Sequence, residues 1–125
     1  MIEAGMVFKQ HSGHYWFVIS DPAQDAERIV CVNMTTVRGH LAEDKSCLLE
    51  SGDHDQVRHT SWIFYKRSKV FSGTHLTRLI TKGMATEHPP PCSASVLGKL
   101  RHGAFVSLDT PLDIVRILEE QGFAC

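Results

Sequence analysis

Two histidine-containing segments of this 125-residue chain carry the side chains best suited to acid–base chemistry. The denser segment, residues 51–61, contributes four candidates that could act on or bind a substrate: His54, Arg58, His59 and Ser61. Side chains alternate along a strand, so His59 and Ser61 are expected on one face, and Tyr65 on the same face. An imidazole titrating near neutral pH would then stand beside two hydroxyls. The alternative is a polar surface loop closed by Ser61.

The second segment, His11-Ser-Gly-His14, has the spacing of half a metal site. On a β-turn the two rings need not converge, and no further ligand follows at a diagnostic spacing. We therefore predict no metal and no cofactor, although a metal enzyme using His11, His14 and His54 or His59 stays open. His14 could instead lie at the mouth of a sheet, facing Thr35 or Thr36. Both threonines end an apolar strand, where small β-folds often display binding groups.

Five short apolar segments are expected to form the strands that position these groups. They are Met6–His11, Tyr15–Ile19, Ile29–Asn33 with its continuation to Thr36, Ser46–Leu49 and Thr60–Tyr65. The second and third lack polar alternation, which is typical of strands covered on both faces. Tight connections between them favour a curled antiparallel sheet.

The last third of the chain is expected to be helical. Residues 75–81 could form a strand or a short helix, and Glu87–Pro91 must be an extended linker because prolines break helices and ladders. Ser93 or Ser95 can cap a helix that Gly103 would end. A strand Ala104–Leu108 is expected next. It is followed by a helix capped by Thr110, begun by Pro111 and ended by Gly122, with Ile114, Ile117, Leu118 and Gln121 on one stripe.

Composition limits the function classes. The formal net charge is -1, which argues against a polybasic nucleic-acid tail but leaves room for a local basic patch. No apolar run approaches the ~20 residues of a membrane span, and the N-terminus lacks the pattern of a signal peptide. We predict a cytoplasmic protein, not associated with membranes, with its four cysteines reduced.

The N-terminal half resembles the PemK/MazF toxin superfamily, as a divergent member. The resemblance rests on Gly5-Met-Val-Phe8, on Gly13-His-Tyr-Trp-Phe-Val-Ile-Ser-Asp-Pro22, on Ile29-Val-Cys-Val-Asn-Met-Thr-Thr36 and on the pattern His54…His59-x-Ser61…Tyr65. It covers roughly residues 5–70. It implies an SH3-like barrel, a metal-independent endoribonuclease acting on single-stranded RNA, a cognate antitoxin and a homodimer.

Family members use an arginine near the start of the second strand and Thr or Ser at the end of the third. Thr35 or Thr36 fits the second position, but His14-Tyr15 stands where the arginine would be. Either His14 and His59 act as a two-histidine ribonuclease, or the fold has lost activity. In the first case one histidine takes the 2′-proton, the other protonates the 5′-oxygen, and Arg58 or Lys45 stabilises the phosphorane charge.

These observations predict a mainly β single domain, 1–125, comprising a small SH3-like β-barrel with C-terminal helices. The barrel core would span about 5–82, and the proline linker and helical part about 87–123. The candidate catalytic residues are His14, Thr35, His59 and Ser61. The candidate substrate-binding residues are Lys45, His54, Arg58, Thr36 and Tyr65. The alternative is a non-catalytic SH3-like barrel that binds a protein or nucleic acid.

Overall fold

The computed structural model describes residues 1–11 and 13–124, within which the chain forms a mixed fold of strands and helices. The strands are β1 (Val7–Gln10), β2 (Tyr15–Val18), β3 (Ile29–Thr36), β4 (Leu48–Leu49), β5 (Ser61–Ile63), β6 (Lys69–Phe71) and β7 (Ala85–Glu87). The α-helices are α1 (Gly73–Thr81), α2 (Ala94–Val106) and α3 (Leu112–Glu120), and a 3-10 helix covers Tyr65–Arg67. Two residues lie outside the described ranges: Ser12, which belongs to the turn predicted between His11 and His14, and Cys125.

All seven described strands join one antiparallel sheet, in the order β4-β5-β3-β2-β1-β7. The long strand β3 has β2 along one side and, along the other, β5 at its C-terminal end and β6 at its N-terminal end. The terminal strands β4 and β7 do not pair with each other, so the sheet is open. The predicted antiparallel sheet is present, but its closure into a barrel is not observed.

Helices cover both faces of the sheet. Val30 and Val32 point towards α2 and α3 and share a core with Leu100 and Leu118. The alternate residues of β3 point the other way, where Cys31 packs in a second core with residues of α1. This two-sided burial explains the apolar runs without alternation and confirms that part of the prediction.

The helices belong to the same structural unit as the strands. Residues of α2 and α3 fill the larger core, so the C-terminal part is not an appendage beyond a linker. As predicted, Ser93 caps α2, its hydroxyl accepting a hydrogen bond from the Val96 amide at 3.1 Å. Ile114, Ile117 and Leu118 of the predicted stripe are buried in α3, whereas Gln121 lies at the C-cap of the helix. Gly122 follows that helix with φ +89°, a conformation that glycine adopts without strain.

Three C-terminal predictions are wrong. Residues 104–106 continue α2, so no strand Ala104–Leu108 forms, and Gly103 lies inside the helix. A Cβ at Gly103 would overlap the Tyr65 hydroxyl oxygen and lie 2.7 Å from Cys47 Cβ, so this glycine permits close packing instead of ending a helix. The third helix begins after Pro111, which occupies the N-cap, and the Thr110 hydroxyl does not cap it.

The segment from residue 69 to residue 87 holds elements that the sequence left open or missed. The ambiguous stretch is helical, within α1, whose N-cap Ser72 accepts a hydrogen bond from His75 N at 3.1 Å. Two edge strands, β6 and β7, flank this helix and were not predicted. Since β7 ends at Glu87, only the prolines after it serve as the predicted extended connection.

Candidate functional site

A cleft lies at the end of the sheet face that α2 and α3 cover elsewhere. Two cross-strand rows form its floor. In the first row, β1, β2 and β3 align Lys9, Tyr15 and Met34. In the second row, Thr36 of β3 faces Ser61 of β5. Opposed residues of neighbouring strands project to the same side, so the register gathers these side chains on one surface.

The cleft is open and has a volume of about 300 Å³. Its described lining is Lys9, Gly13, His14, Tyr15, Met34, Thr36, Gln56, Arg58, His59 and Ser61. Five of these are candidates named from the sequence: His14, Thr36, Arg58, His59 and Ser61. The segment just before β2 and the segment just before β5 thus bring two exposed imidazoles to one cleft.

Three contacts anchor the segment that carries Arg58 and His59. The His54 ring is buried, its Nε2 lies 2.6 Å from the Pro90 carbonyl oxygen, and its Nδ1 accepts from the Gln56 amide at 3.1 Å. These partners require the tautomer with the proton on Nε2. Two residues beyond, Val57 is 2% exposed within the larger core. A charged and an imidazole side chain therefore extend from a well-anchored loop.

The lining is electropositive. Lys9 and Arg58 supply permanent positive charges, and no Asp or Glu belongs to the described lining. Neither cation forms a salt bridge with any residue of the described ranges. The Lys9 ammonium stands 5.3 Å from the Tyr15 ring centroid, which is a cation–π distance. Such a surface attracts anions, phosphate groups above all.

The hydroxyls of the cleft have different environments. Ser61 is buried, and its hydroxyl donates to the His59 carbonyl at 2.9 Å, which holds the backbone of that histidine. Thr36 is half-buried at the end of β3. Ser61 is therefore placed to position His59, whereas the Thr36 side chain lines the floor.

Four predicted site residues do not line this cleft. Thr35 projects to the opposite sheet face, because neighbours in a strand alternate. His54 serves as the loop anchor just described, and Lys45 is exposed elsewhere. Tyr65 is 0% exposed and donates its hydroxyl to the Leu100 carbonyl at 2.7 Å, because β5 stops at Ile63 and a 3-10 helix follows.

Sequence reasoning missed Lys9, Tyr15 and Gln56. Lys9 lies two residues after the buried Val7 in β1, so strand alternation places both side chains on the same face. Its place opposite Tyr15 depends on the register of the hairpin, which the sequence did not give.

Nowhere in residues 1–11 and 13–124 do three His, Cys, Asp or Glu side chains group as metal ligands would. His11 lines a separate cavity beside Leu79 and Met84, away from His54 and His59. None of the helices within these residues is long and apolar enough to cross a membrane.

No family model, curated protein or solved structure matches this chain significantly.

Proposed function

We propose that the protein is a metal-independent endoribonuclease that binds single-stranded RNA in this cleft, as its resemblance to the PemK/MazF class implies. One observation carries the proposal: His14 and His59 line the same cleft as the cations Lys9 and Arg58. Two imidazoles beside a phosphate-attracting surface form the minimal set for general acid–base cleavage of RNA. The absence of an arginine before β2 is compensated by Lys9 and Arg58, which reach the cleft from β1 and from the loop before β5.

The reaction needs two proton transfers and charge stabilisation. One neutral imidazole removes the proton of a ribose 2′-hydroxyl, whose oxygen attacks the adjacent phosphorus. The second imidazole, which starts protonated, gives its proton to the departing 5′-oxygen as the bond between phosphorus and that oxygen breaks. The products are a 2′,3′-cyclic phosphate and a 5′-hydroxyl. Arg58 and Lys9 stabilise the charge that develops on the non-bridging oxygens. Each proton transfer contributes about 10²–10⁴-fold to the rate.

The hydroxyl-bearing residues support this chemistry indirectly. The hydroxyl of Ser61 donates to the backbone carbonyl of His59 and so holds the backbone that carries this imidazole. Thr36, on the floor of the cleft, is placed to donate to a phosphate oxygen. Of the two threonines that fit the family position, Thr36 is therefore the one we assign. Lys45, His54 and Tyr65 have no part in binding substrate.

The proposal also includes the localisation and the partners that the resemblance implies. A protein of this class would act in the cytoplasm, as a homodimer, and a cognate antitoxin would neutralise it. The relationship to an SH3-like barrel concerns the order and pairing of the strands; closure of the sheet is not part of the proposal.

Cleavage of single-stranded RNA by the purified protein, with EDTA present, tests the proposal. We expect cleavage of RNA but not of DNA, which lacks the 2′-hydroxyl, with cyclic phosphate ends on the products. His14→Ala and His59→Ala should each lower the rate at least about 100-fold, since each removes one proton transfer. His102→Ala is the matched control, because His102 is exposed on α2 and does not line the cleft. Intact RNA with the wild-type protein, or equal activity in all the variants, would contradict the proposal.

A non-catalytic interaction module is the second candidate, and exposed apolar side chains favour it. Val106, Leu108 and Leu112 are 45%, 100% and 62% exposed around the turn between α2 and α3. Single exposed apolar side chains are common on protein surfaces, whereas an apolar patch formed by several of them is typical of a contact surface. If RNA is neither cleaved nor bound, this surface is where a protein partner should be sought, for example by comparing the oligomeric state of Leu108→Ser with that of wild type.

A further inference from the structure

A second cavity of about 250 Å³ lies behind the cleft, on the opposite face of the same end of β3. Its walls are almost wholly apolar. Its described lining is Thr35, Thr36, Arg38, His40, Ala42, Glu43, Trp62 and Phe64. The segment 38–43 covers one side, and the rings of Trp62 and Phe64 form another. This is the size and character of a pocket for a flat ring.

Two aromatic rings shape the pocket, and its lining also includes the cation Arg38 and the carboxylate of Glu43, which accepts hydrogen bonds from the Arg38 and Gly39 amides. The centroids of Trp62 and Phe64 are 4.7 Å apart, with the ring planes inclined by 38°. The Arg67 guanidinium stands 5.2 Å over the Phe64 ring. Arg38 is exposed at the rim and forms no salt bridge with a described residue. Aromatic platforms flanked by cations are the usual means of holding unpaired bases next to a phosphate backbone.

Polar atoms in the walls lack partners. Trp62 is 6% exposed and its indole Nε1 has no hydrogen-bond acceptor within the described residues. The Thr35 hydroxyl, opposite Trp62 in the β3–β5 register, has no partner there either. A buried polar atom without a partner destabilises the protein, and a ligand offering complementary groups would relieve this. Donors and acceptors of that kind are found on the edges of nucleobases.

The pocket and the cleft share one lining residue. Thr36 lines both cavities, and its neighbour Thr35 lines only the pocket. A polynucleotide whose backbone occupies the cleft can therefore extend around the end of β3 towards the pocket.

We propose that the Trp62–Phe64 pocket binds one unpaired nucleobase of the RNA whose backbone occupies the cleft. This inference rests on the proposed function for the identity of the polymer. The base stacks on the aromatic pair, and Thr35 Oγ1 and Trp62 Nε1 are the groups available to its edge. The cleft supplies chemistry, and the pocket positions the strand.

Fluorescence with a non-cleavable probe tests the pocket. The probe is an octamer of 2′-O-methyl-uridine, and a fully abasic octamer with the same number of phosphates is the matched control. Titration with the first probe should quench the indole emission of wild type and of Trp16→Phe, but not of Trp62→Phe. Phe64→Leu should weaken binding of the base-containing octamer about tenfold and change binding of the abasic octamer less than twofold. Thr35→Val, which keeps the shape and removes the unpartnered hydroxyl, should weaken only the first probe.

The outcomes separate the pocket from the nuclease. If the octamer quenches Trp62 but RNA stays intact, the pocket stands and the proposed function fails. If RNA is cleaved but Trp62 emission does not respond, the pocket is overturned and the proposed function stands. Equal weakening of both probes by Phe64→Leu overturns the pocket as well, since it signals a structural effect. Failure of both probes to bind, together with intact RNA, overturns both.

Discussion

At the residue scale, histidines of one chain occupy quite different environments. His14 and His59 are exposed and line the cleft, where the proposed function uses them as acid and base. His54, five residues before His59, is buried and held at both ring nitrogens. His88 packs edge-on against Tyr15, with ring centroids 5.2 Å apart. Residue type alone nominates candidates, and the hydrogen-bond partners decide which of them can act.

The anchoring role of His54 gives the first prediction. His54→Ala removes both hydrogen bonds and leaves the Pro90 carbonyl and the Gln56 amide to find other partners. We expect a loss of about 2–3 kcal/mol in the free energy of unfolding, measured by urea denaturation. His102→Ala, at an exposed position, should change that free energy by less than about 0.5 kcal/mol. Equal stability of the two variants would show that His54 does not anchor the loop.

The buried hydroxyl of Tyr65 gives the second prediction. Tyr65→Phe removes its hydrogen bond to the Leu100 carbonyl and leaves the ring in place. The free energy of unfolding should fall by about 1 kcal/mol, which urea denaturation measures. RNA affinity, measured by fluorescence anisotropy, should not change. A weakened affinity at unchanged stability would restore the original interpretation of Tyr65 as a substrate-binding residue.

At the element scale, α2 contains two glycines with opposite surroundings. Gly98 is exposed with nothing within 4 Å of an added Cβ, whereas a Cβ at Gly103 would overlap the Tyr65 hydroxyl. Gly98→Ala should stabilise the protein by about 0.5–1 kcal/mol, since alanine is the better helix former. Gly103→Ala should destabilise it by about 1–3 kcal/mol through overpacking. Thermal unfolding of both variants measures the difference, and a stabilising effect at Gly103 would contradict the close packing described.

Some elements with local signals were predicted, although the Thr110 cap was wrong, and elements fixed by distant contacts were not predicted. The cap Ser93 and the stripe Ile114, Ile117 and Leu118 act within one helix, so the sequence shows them directly. The sequence around Gly103 resembles the end of a helix. The structure instead uses this glycine inside α2 because Tyr65 approaches too closely for a side chain. The short strand β6 exists because it pairs with the N-terminal end of β3, and no local pattern announces that pairing.

The site follows the same rule. His14, Arg58, His59 and Ser61 could be nominated because their chemistry is visible in the sequence. Lys9 could not, because its position depends on the β1–β2 register. The choice of Thr36 over Thr35 depends on which face of β3 points to the cleft. Neighbouring side chains of a strand project to opposite faces, so only one of the two can line the cleft.

At the scale of the whole molecule, two-sided coverage of the sheet buries ionisable groups as well as apolar ones. Cys31, Cys47 and Cys92 are free thiols within the described ranges, all buried. Burial raises the pKa of the Cys92 thiol to about 11, and it raises the pKa of the Cys31 and Cys47 thiols as well. Burial also raises the pKa of the Tyr65 hydroxyl.

These shifts predict alkaline destabilisation. The thiols of the unfolded chain ionise near pH 9 while those of the folded chain stay protonated, so the unfolded state binds fewer protons. These thiols therefore contribute no change in stability below about pH 9. Above it stability should fall, by about 1.4 kcal/mol per pH unit from Cys92 alone until pH 11. Urea denaturation from pH 7 to pH 10.5 measures this slope. Cys92→Ala should reduce it, and a flat profile would contradict the burial of these thiols.

The proposed function requires RNA to lie in the cleft between His14 and His59. Nuclear magnetic resonance of the imidazole rings, with the 2′-O-methyl octamer added stepwise, shows whether it does. The chain has eight histidines, which gives internal controls. We predict that the ring signals of His14 and His59 shift with a common saturation curve, while those of the buried His54 and the remote His102 stay in place. Shifts confined to other histidines, or none at saturating probe, would contradict the claim.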